Sequence, residues 1–502
     1  MARKILLMLH AALGLVILAA ALATAQEVDP SAPGMFPIGW NDIAPYLSGL
    51  LPAEQTASAA LLADGASVYH VRLHVPAQGS RLAAEMTLRY TNREAVSLAT
   101  LRFRAFPPLV GGTLQVTGAE VDGVAAAATV DAVLGALDVP LPEPLAPGGA
   151  TVVRLTLEIG VPESPTAHYG ILGATRGVLS LAHALPTVAV FEDDTWRIET
   201  PAEYGDVTYA DAAFFLVEVD APEDLMLVTS GVEIDRTDGE AGRVTTFAAG
   251  PVREFYLAAA ADLDVVSMRV GETTVRSFAP AALAAAAEQG LASASAALQA
   301  YSALYGPYPY TELDLAAVPI LAGGMEFPGA VIVGESEYVQ SFRPQNEPVD
   351  FFELAVAHEV AHQWFYNLVG SDQLGEPWLD ESLTQYATWR YFEAVYGEPG
   401  DTGFATWVSQ RMRALPTPPP PIGQPTSAYS ATVYGATVYA RGPLFLKALE
   451  AELGRDVLDE ALRDYVAANR FALADTEIFR DFLEARCGYS LARLFAEWVY
   501  AN

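Results

Sequence analysis

Two histidines and a glutamate in the pattern H-E-x-x-H are the residues of this chain best suited to chemistry. They are His358, Glu359 and His362, in the segment FFELAVAHEVAHQWFYNLVG. Residues four apart share one face of a helix, so both imidazoles can reach a single metal ion. Glu359 follows the first ligand and projects beside the pair, where a general base for an attacking water is needed. The pattern predicts a metal-dependent hydrolytic site.

Helix signals on either side of this motif predict where a third ligand comes from. Asp350 is expected to cap the first helix, Glu353 to complete a capping box, and Gly370 to end it. A second helical pattern follows Pro377 and carries Glu381, with eighteen residues between it and the second histidine. Two helices joined by a short turn pack side by side, so this carboxylate can reach the same metal.

Three protein ligands with one open position are typical of a catalytic zinc site, whereas a structural site has four. We therefore expect one Zn²⁺ per chain. The alternative is a chance HExxH on a surface helix. The chain has only 7 histidines, so a chance match of this kind is improbable, and the apolar setting argues further against it.

The segment HEVAHQWF, followed at the stated spacing by WLDES, resembles the aminopeptidase N-like zinc peptidases. These are gluzincins of the leukotriene hydrolase and alanyl aminopeptidase type, which usually have WL-[ND]-EG at the second position. The resemblance implies an amino-terminal β domain that covers a thermolysin-like, mainly α catalytic domain. It also implies zinc held by His358, His362 and Glu381, with Glu359 as the catalytic base.

The stretch LAGGMEFPG resembles the family's Gly-x-Met-Glu edge strand, which lines the cleft. Gly323, Gly324 and Met325 are expected to contact substrate, because glycines let a peptide backbone approach closely. Glu326 is expected to bind the free α-amine of a peptide, and a plain turn glutamate is the alternative. The commoner family version has Asn after this glutamate, where this chain has Phe327. Endopeptidase activity therefore remains an alternative to aminopeptidase activity.

A second segment after the zinc helices, YARG, resembles the family's Tyr-x-Lys-Gly. The resemblance implies that Tyr439 donates a hydrogen bond to the reacting carbonyl oxygen and stabilises the oxyanion. Tyr434 is the rival candidate for this role, and a packing role is the alternative for either tyrosine.

Hydrophobic periodicity divides the chain into parts of different structure. Alternation of apolar and polar residues between Gly and Pro breaks predicts an antiparallel β domain over 67–265 with one buried face. Helical patterns predominate in 266–502, the expected catalytic domain, so the fold class is multidomain α+β. His70 and His74 alternate along the first strand, without a nearby carboxylate or Cys in sequence, and are expected to face solvent.

The amino-terminal residues 1–25 are interpreted as a secretory signal peptide. Arg3 and Lys4 precede an apolar run that ends in an A-x-A cleavage site. An uncleaved membrane anchor is the alternative, and membrane contact is expected only in that case. Residues 26–66 are interpreted as a leader or linker. The single Cys487 cannot form an intramolecular disulfide, which suits an exported protein of the bacterial envelope or exterior.

The formal charge of −33 makes two classes of partner unexpected. It argues against nucleic acid and against anionic membrane surfaces. Peptides are the expected substrates, and no stable protein partner is expected. We interpret the chain as a secreted zinc aminopeptidase that accepts long peptides alongside dipeptides. A zinc endopeptidase of the same fold and a non-catalytic peptide-binding member of the family are the alternatives.

Overall fold

The computed structural model describes residues 35–36, 38–40, 42–76, 80–341 and 349–500. The interpreted signal peptide and the first residues of the leader lie outside this part of the chain. None of the helices within it is long and apolar enough to cross a bilayer.

Most strands lie in the amino-terminal half, where they form sheets of eight, four, four and two strands. The large sheet has the order β16-β17-β14-β1-β2-β8-β4-β5. The strands of this half are β1 Val68–His74, β2 Arg81–Thr91, β3 Leu98–Arg104, β4 Thr113–Val121, β5 Val124–Ala125, β6 Thr129–Asp131, β7 Ala136–Leu145, β8 Ala150–Gly160, β9 Leu172–Thr175, β10 Val178–Leu181, β11 Thr187–Val188, β12 Phe191–Glu192, β13 Thr195–Trp196, β14 Ala213–Ala221, β15 Met226–Thr229, β16 Val232–Asp238, β17 Arg243–Val252 and β18 Leu257–Ala260.

The alternation that predicted these strands is visible in their burial. In β8 the side chains of Val153, Leu155 and Leu157 are buried, while Arg154 between them is exposed. One pairing departs from the expected antiparallel pattern, because β1 pairs with β14 in parallel, Val68 opposite Phe214. The two strands are far apart in sequence, and a long connection permits a parallel pair that a hairpin cannot form.

The expectation that the first-strand histidines face solvent is wrong for His70. Its side chain is fully buried, its Nε2 lies 2.7 Å from the Tyr46 hydroxyl, and its ring stacks on Trp40 at 4.3 Å. Burial lowers the pKa of His70 to about 3. His74 is partly exposed and its Nδ1 lies 3.1 Å from Asp220. The leader covers the sheet at His70, and strand periodicity gives no information about such a cover.

The described part of the leader contacts both halves of the molecule. Its helix α1, Pro52–Ala63, follows a short turn in which Leu51 donates its backbone N–H to Pro309, at 2.9 Å. Glu54 forms an ion pair of 2.7 Å with Arg470, near the end of the chain. This segment therefore packs against the helical half as well as against the large sheet.

The carboxy-terminal half begins with a five-stranded sheet in the order β19-β20-β21-β23-β22. Its strands are β19 Asp264–Val270, β20 Thr273–Ala279, β21 Glu312–Val318, β22 Gly324–Met325 and β23 Ala330–Gly334. The remaining helices are α2 Ala284–Tyr305, α3 Glu335–Gln340, α4 Phe351–Ala361, α5 Pro377–Tyr396, α6 Glu398–Arg411, α7 Ala431–Ala436, α8 Gly442–Leu453, α9 Arg455–Ala468, α10 Thr476–Cys487 and α11 Ala492–Trp498. A β-rich half followed by a helical half is the fold class that the sequence predicts.

Helix α4, which carries the HExxH motif, ends earlier than predicted. It stops at Ala361 rather than at Gly370, and the residues between form turns and isolated bridges. Gly370 has another role, because a Cβ there would lie 2.4 Å from the guanidinium carbon of Arg253. That arginine is buried and donates to several backbone carbonyls after α4, including those of Tyr366 and Asn367. These contacts compete with continuation of the helix.

Candidate active site

Helices α4 and α5 pack together and present the predicted ligands to one another. Asp350 caps α4 as predicted, because its carboxylate accepts from the backbone N–H groups of Phe352 and Glu353. The Glu353 side chain does not complete a capping box with Asp350. Its carboxylate accepts hydrogen bonds from the hydroxyls of Tyr391 and Tyr396, so it ties the start of α4 to the end of α5.

The three predicted metal ligands converge. His358 Nε2 lies 3.0 Å from Glu381 Oε2, His362 Nε2 lies 3.2 Å from His358 Nε2, and His362 Nε2 lies 3.6 Å from Glu381 Oε2. Zinc bonds of about 2.0–2.2 Å in a tetrahedral arrangement place ligand atoms about 3.3–3.6 Å apart. All three side chains are buried. The donor set and its spacing therefore fit a zinc ion.

The orientation of His362 depends on a residue that the sequence analysis did not single out. Asp380 Oδ1 lies 2.6 Å from His362 Nδ1, and the Phe365 carbonyl lies 3.1 Å from the same nitrogen. Two acceptors at Nδ1 favour the tautomer that is protonated there and leaves Nε2 free for a metal. Asp380 also accepts from Gln373 Nε2 at 2.7 Å. Its position next to Glu381 in the sequence WLDES is the feature by which the sequence could have indicated this role.

Glu359 is buried next to the ligands and is packed against the strand β22. A Cβ at Gly324 would lie 2.5 Å from Glu359 Cγ, so only glycine leaves room for this carboxylate. Burial raises the pKa of Glu359 well above its usual range; the nearby His362 opposes this effect and Glu326 adds to it. A carboxylate with a raised pKa is suited to accept and return a proton near neutral pH.

The predicted substrate-binding segment forms the edge of the five-stranded sheet. Met325 pairs with Ile332 on one side, and the Gly323 carbonyl accepts from Gly334 at 3.0 Å. Glu326 follows the strand; it is buried and its Oε1 accepts from Gln373 Nε2 at 2.8 Å. Burial raises the pKa of Glu326 to about 8, with His362 acting in the opposite direction.

The distance between Glu326 and the ligands is short. One ligand atom from each of Glu326, Glu359 and His362 lies within 4.8 Å of the others. A cation bound by Glu326 would therefore lie no farther from a metal bound by His362 than the length of one amino-acid residue.

The two candidate tyrosines differ in their contacts. The Tyr439 hydroxyl donates to Glu381, and its ring stacks beside His358 with centroids 5.6 Å apart. The Tyr434 hydroxyl is buried and has no hydrogen-bond partner among the described residues. Burial, followed by the charge of Glu381, raises the pKa of both phenols, so each is a neutral donor near pH 7. Tyr439 contacts a predicted ligand directly, and the Tyr434 ring packs against that of Tyr439 with centroids 5.9 Å apart.

The three predicted ligands, Glu359, Glu326 and both tyrosines line one cavity of about 320 Å³. The segment before β14 contributes Asp206, whose carboxyl is hydrogen-bonded to Glu381 and which the sequence analysis missed. No motif marked it. Phe327, which stands where the family commonly has Asn, is outside the described lining of this cavity. It is buried and stacks on Tyr256 with centroids 4.1 Å apart.

Comparison with known proteins bears on this site. Residues 290–498 match the profile described as "Peptidase family M1 domain". Aminopeptidase M1-B of Oryza sativa subsp. japonica is 28% identical over 203 residues, which is 38% of this chain and 23% of that protein. Aminopeptidase N of Rattus norvegicus is 31% identical over 173 residues, 32% of this chain and 18% of that protein. The chain thus spans about a quarter or less of these two relatives.

Solved structures resemble most of the chain. A point mutant of an M1 zinc metallopeptidase from Deinococcus radiodurans superposes with a TM-score of 0.66 and 21% identity over 87% of this chain and 94% of that one. The same mutant bound to a Tyr-Ser-Ala substrate gives the same values. At this identity the likeness concerns the fold, which includes both the β-rich and the helical half.

Proposed function

We propose that this chain, whose residues 290–498 match the domain of peptidase family M1, is a zinc-dependent aminopeptidase that removes amino-terminal residues from peptides. One observation carries the proposal. Three ligand atoms have the spacing that tetrahedral zinc requires, and the same cavity contains the buried carboxyl groups of Glu359 and Glu326.

Each of these side chains has a defined task in peptide hydrolysis. Zinc held by His358, His362 and Glu381 would supply a Lewis acid, which lowers the pKa of water and polarises a carbonyl. Glu359 takes the proton of the attacking water and later passes it to the leaving amine. A phenol hydroxyl, that of Tyr439 in our assignment, donates to the oxygen on which negative charge develops.

Glu326 makes the enzyme an exopeptidase in this proposal. Its carboxyl group binds the protonated α-amine of the substrate, and this nearby cation favours the ionised form of a carboxyl whose pKa is raised by burial. Because Glu326 is so close to the ligand His362, the amine can be separated from the scissile bond by only one residue. The edge strand β22 offers its unpaired side to the substrate backbone, as in strand addition.

We further propose that the chain is exported, through the segment interpreted as a signal peptide. The basic start, apolar run and A-x-A site of residues 1–25 support this. The one cysteine, Cys487, is free, so the exported enzyme would rely on its hydrophobic core rather than on intramolecular disulfides.

The proposed function is tested by metal removal. The purified protein should hydrolyse a free-amine aminoacyl reporter, lose this activity after treatment with a chelator, and regain it with one equivalent of zinc. Activity that survives complete removal of the metal would contradict the proposal, as would absence of hydrolysis in the zinc-loaded protein.

The ligand set makes a separate prediction about metal content. Purified protein should carry about one zinc per chain, and Glu381→Ala should lose it at neutral pH, since two histidines alone bind zinc weakly. Elemental analysis after desalting measures this directly. Glu398→Ala, at the exposed start of α6, removes a carboxylate outside the cavity and should keep the metal. Full occupancy in Glu381→Ala would remove this residue from the ligand set.

The two tyrosines are distinguished by kinetics. Removing a donor that acts only in the transition state should lower kcat with little change in KM, by about 2–4 kcal/mol of barrier. We expect this for Tyr439→Phe and a much smaller effect for Tyr434→Phe. Both variants keep the ring and its packing, so each is the control for the other. The opposite result would assign the oxyanion role to Tyr434, whose hydroxyl has no other described partner.

A further inference from the structure

The turn between α4 and α5 places the side chain of Gln373 between two carboxyl groups of the site. Gln373 is buried, and its Nε2 donates to Glu326 Oε1 at 2.8 Å and to Asp380 Oδ2 at 2.7 Å. Its Oε1 accepts from the backbone N–H of Thr208 at 2.7 Å. Because a backbone N–H can only donate, the amide oxygen must face Thr208 and the amide nitrogen must face the carboxyls. Both donors and the acceptor of this amide are therefore in use.

The two carboxyl groups need a neutral bridge of this kind. Oxygens of Glu326 and Asp380 lie within 4.8 Å of each other, and both side chains are buried, so that like charges on them repel. A primary amide has two N–H donors and no charge, so it can bind one oxygen of each carboxyl. Oε2 of Glu326 then remains for a substrate ammonium, while Asp380 Oδ1 lies 2.6 Å from His362 Nδ1.

The β-rich half fixes the turn that carries this amide. The backbone N–H of Gln373 donates to the Thr208 carbonyl at 3.4 Å, so the two residues are bonded in both directions. The preceding residue, Asp372, accepts from the backbone N–H of Gly375 at 2.9 Å, and its carboxylate lies 3.5 Å from Arg197, which follows β13. The position of the amide is thus set by contacts with the β-rich half.

We propose that Gln373 is a positioning residue that sets two properties of the site at once, because it holds Glu326 for the substrate amine and Asp380 for the metal ligand His362. The proposal rests on the proposed aminopeptidase function and deepens it, since it assigns amine recognition and zinc retention to a shared support. Gln373 acts through the two carboxyls. Its removal should therefore weaken both properties, and a substitution at Glu326 or at Asp380 should cancel the corresponding effect.

The experiment replaces the amide with a thioether of similar length. In Gln373→Met we expect KM for a free-amine aminoacyl reporter to rise about tenfold, because a charged hydrogen bond that orients Glu326 is lost. Zinc affinity, measured by competition with a chromophoric chelator and without substrate, should fall about tenfold, as for other groups that support a metal-binding histidine. At saturating zinc and substrate, kcat should change by less than about threefold.

The matched control removes an amide hydrogen bond elsewhere. Gln55, in the leader helix α1, donates to the Leu50 carbonyl at 3.3 Å and is outside the described lining of the cavity. Gln55→Met makes the same chemical change as Gln373→Met and should keep the KM and the zinc affinity of the parent.

Double variants show whether Gln373 acts through the two carboxyls. In Glu326→Ala, the added Gln373→Met should raise KM no further but should still weaken zinc binding. In Asp380→Asn the converse is expected, with a further rise in KM and no further loss of zinc affinity. A side chain that served only for packing would add its effects in every background. Gln373→Glu keeps the size and an acceptor for Thr208 but cannot donate to both carboxyls, so it should show both effects if the thioether variant does not fold.

Several results would overturn the inference. Unchanged KM and zinc affinity in the variants of Gln373 would do so, as would an effect on only one of the two. An equal rise in KM from Gln373→Met in the parent and in Glu326→Ala would also contradict it. These results leave the proposed function intact, since the parent still releases amino-terminal residues. A parent that hydrolyses no free-amine substrate would instead contradict the proposed function, and the zinc measurements would still test the contact between Gln373 and Asp380.

Discussion

Replacing Glu359 with Gln should lower kcat by about a hundredfold or more while zinc stays bound. The amide has almost the same shape as the carboxylate but cannot accept the proton of the attacking water. Glu359 is separate from the three converging ligand atoms, so its loss should not release the metal. Turnover of a free-amine reporter and zinc content are measured on the same preparation.

The control for this variant lies on the same helix. Glu353→Gln makes the identical chemical change at the start of α4, where the side chain accepts from two tyrosine hydroxyls and an amide oxygen can still do so. It should retain near-normal turnover. Bound zinc together with near-normal turnover in Glu359→Gln would exclude this residue as the base.

Glu326→Ala should raise KM strongly for free-amine substrates. The loss of a buried partner for the substrate ammonium corresponds to about 2–5 kcal/mol. Gln373, which donates to Glu326, also donates to Asp380 and so retains one partner in the variant. The same variant should treat amino-blocked peptides no worse than the parent does. Initial rates over a range of concentrations of both substrates measure the effect.

A second substitution separates the charge of Glu326 from its packing. Glu326→Gln keeps the size and the position of the side chain but removes the charge, so it should show most of the increase in KM. An unchanged KM in Glu326→Gln, with an effect only in the alanine variant, would mean that the residue serves to fill space rather than to bind the amine.

The convergence of the three candidate metal ligands was predictable because their geometry is local. The spacing within HExxH places His358 and His362 on one face of a helix in any fold, and Asp350 marks where that helix begins. Glu381 required only that the next helix pack beside the first. The sequence pattern also predicted a β-rich half followed by a helical half, since periodicity reports the burial of each element.

What the sequence did not predict depends on contacts between distant segments. The leader covers His70 through Trp40 and Tyr46, and strand alternation contains no information about a cover from elsewhere in the chain. The end of α4 is set by tertiary contacts such as those of Arg253, which override the helix signal that runs to Gly370.

Within the cavity, the same reasoning explains which residues were missed. Asp206 reaches the ligands from the β-rich half, and no spacing rule relates it to HExxH. Trp407 and Arg411 line the same cavity from the last turn of α6, and no spacing rule relates them to HExxH either. Asp380 could have been predicted, because it is the sequence neighbour of Glu381. Carboxylates that hydrogen-bond to a metal-binding histidine and fix its orientation are common in metal sites.

In our proposal, the zinc-loaded protein cleaves peptides at their free amino terminus. The rate at which the purified protein hydrolyses a free-amine peptide should therefore be compared with the rate for the same peptide blocked at the amino group. We expect fast release of the first residue from the free peptide and little cleavage of the blocked one. Internal cleavage of the blocked peptide at an equal rate would contradict the claim and identify an endopeptidase.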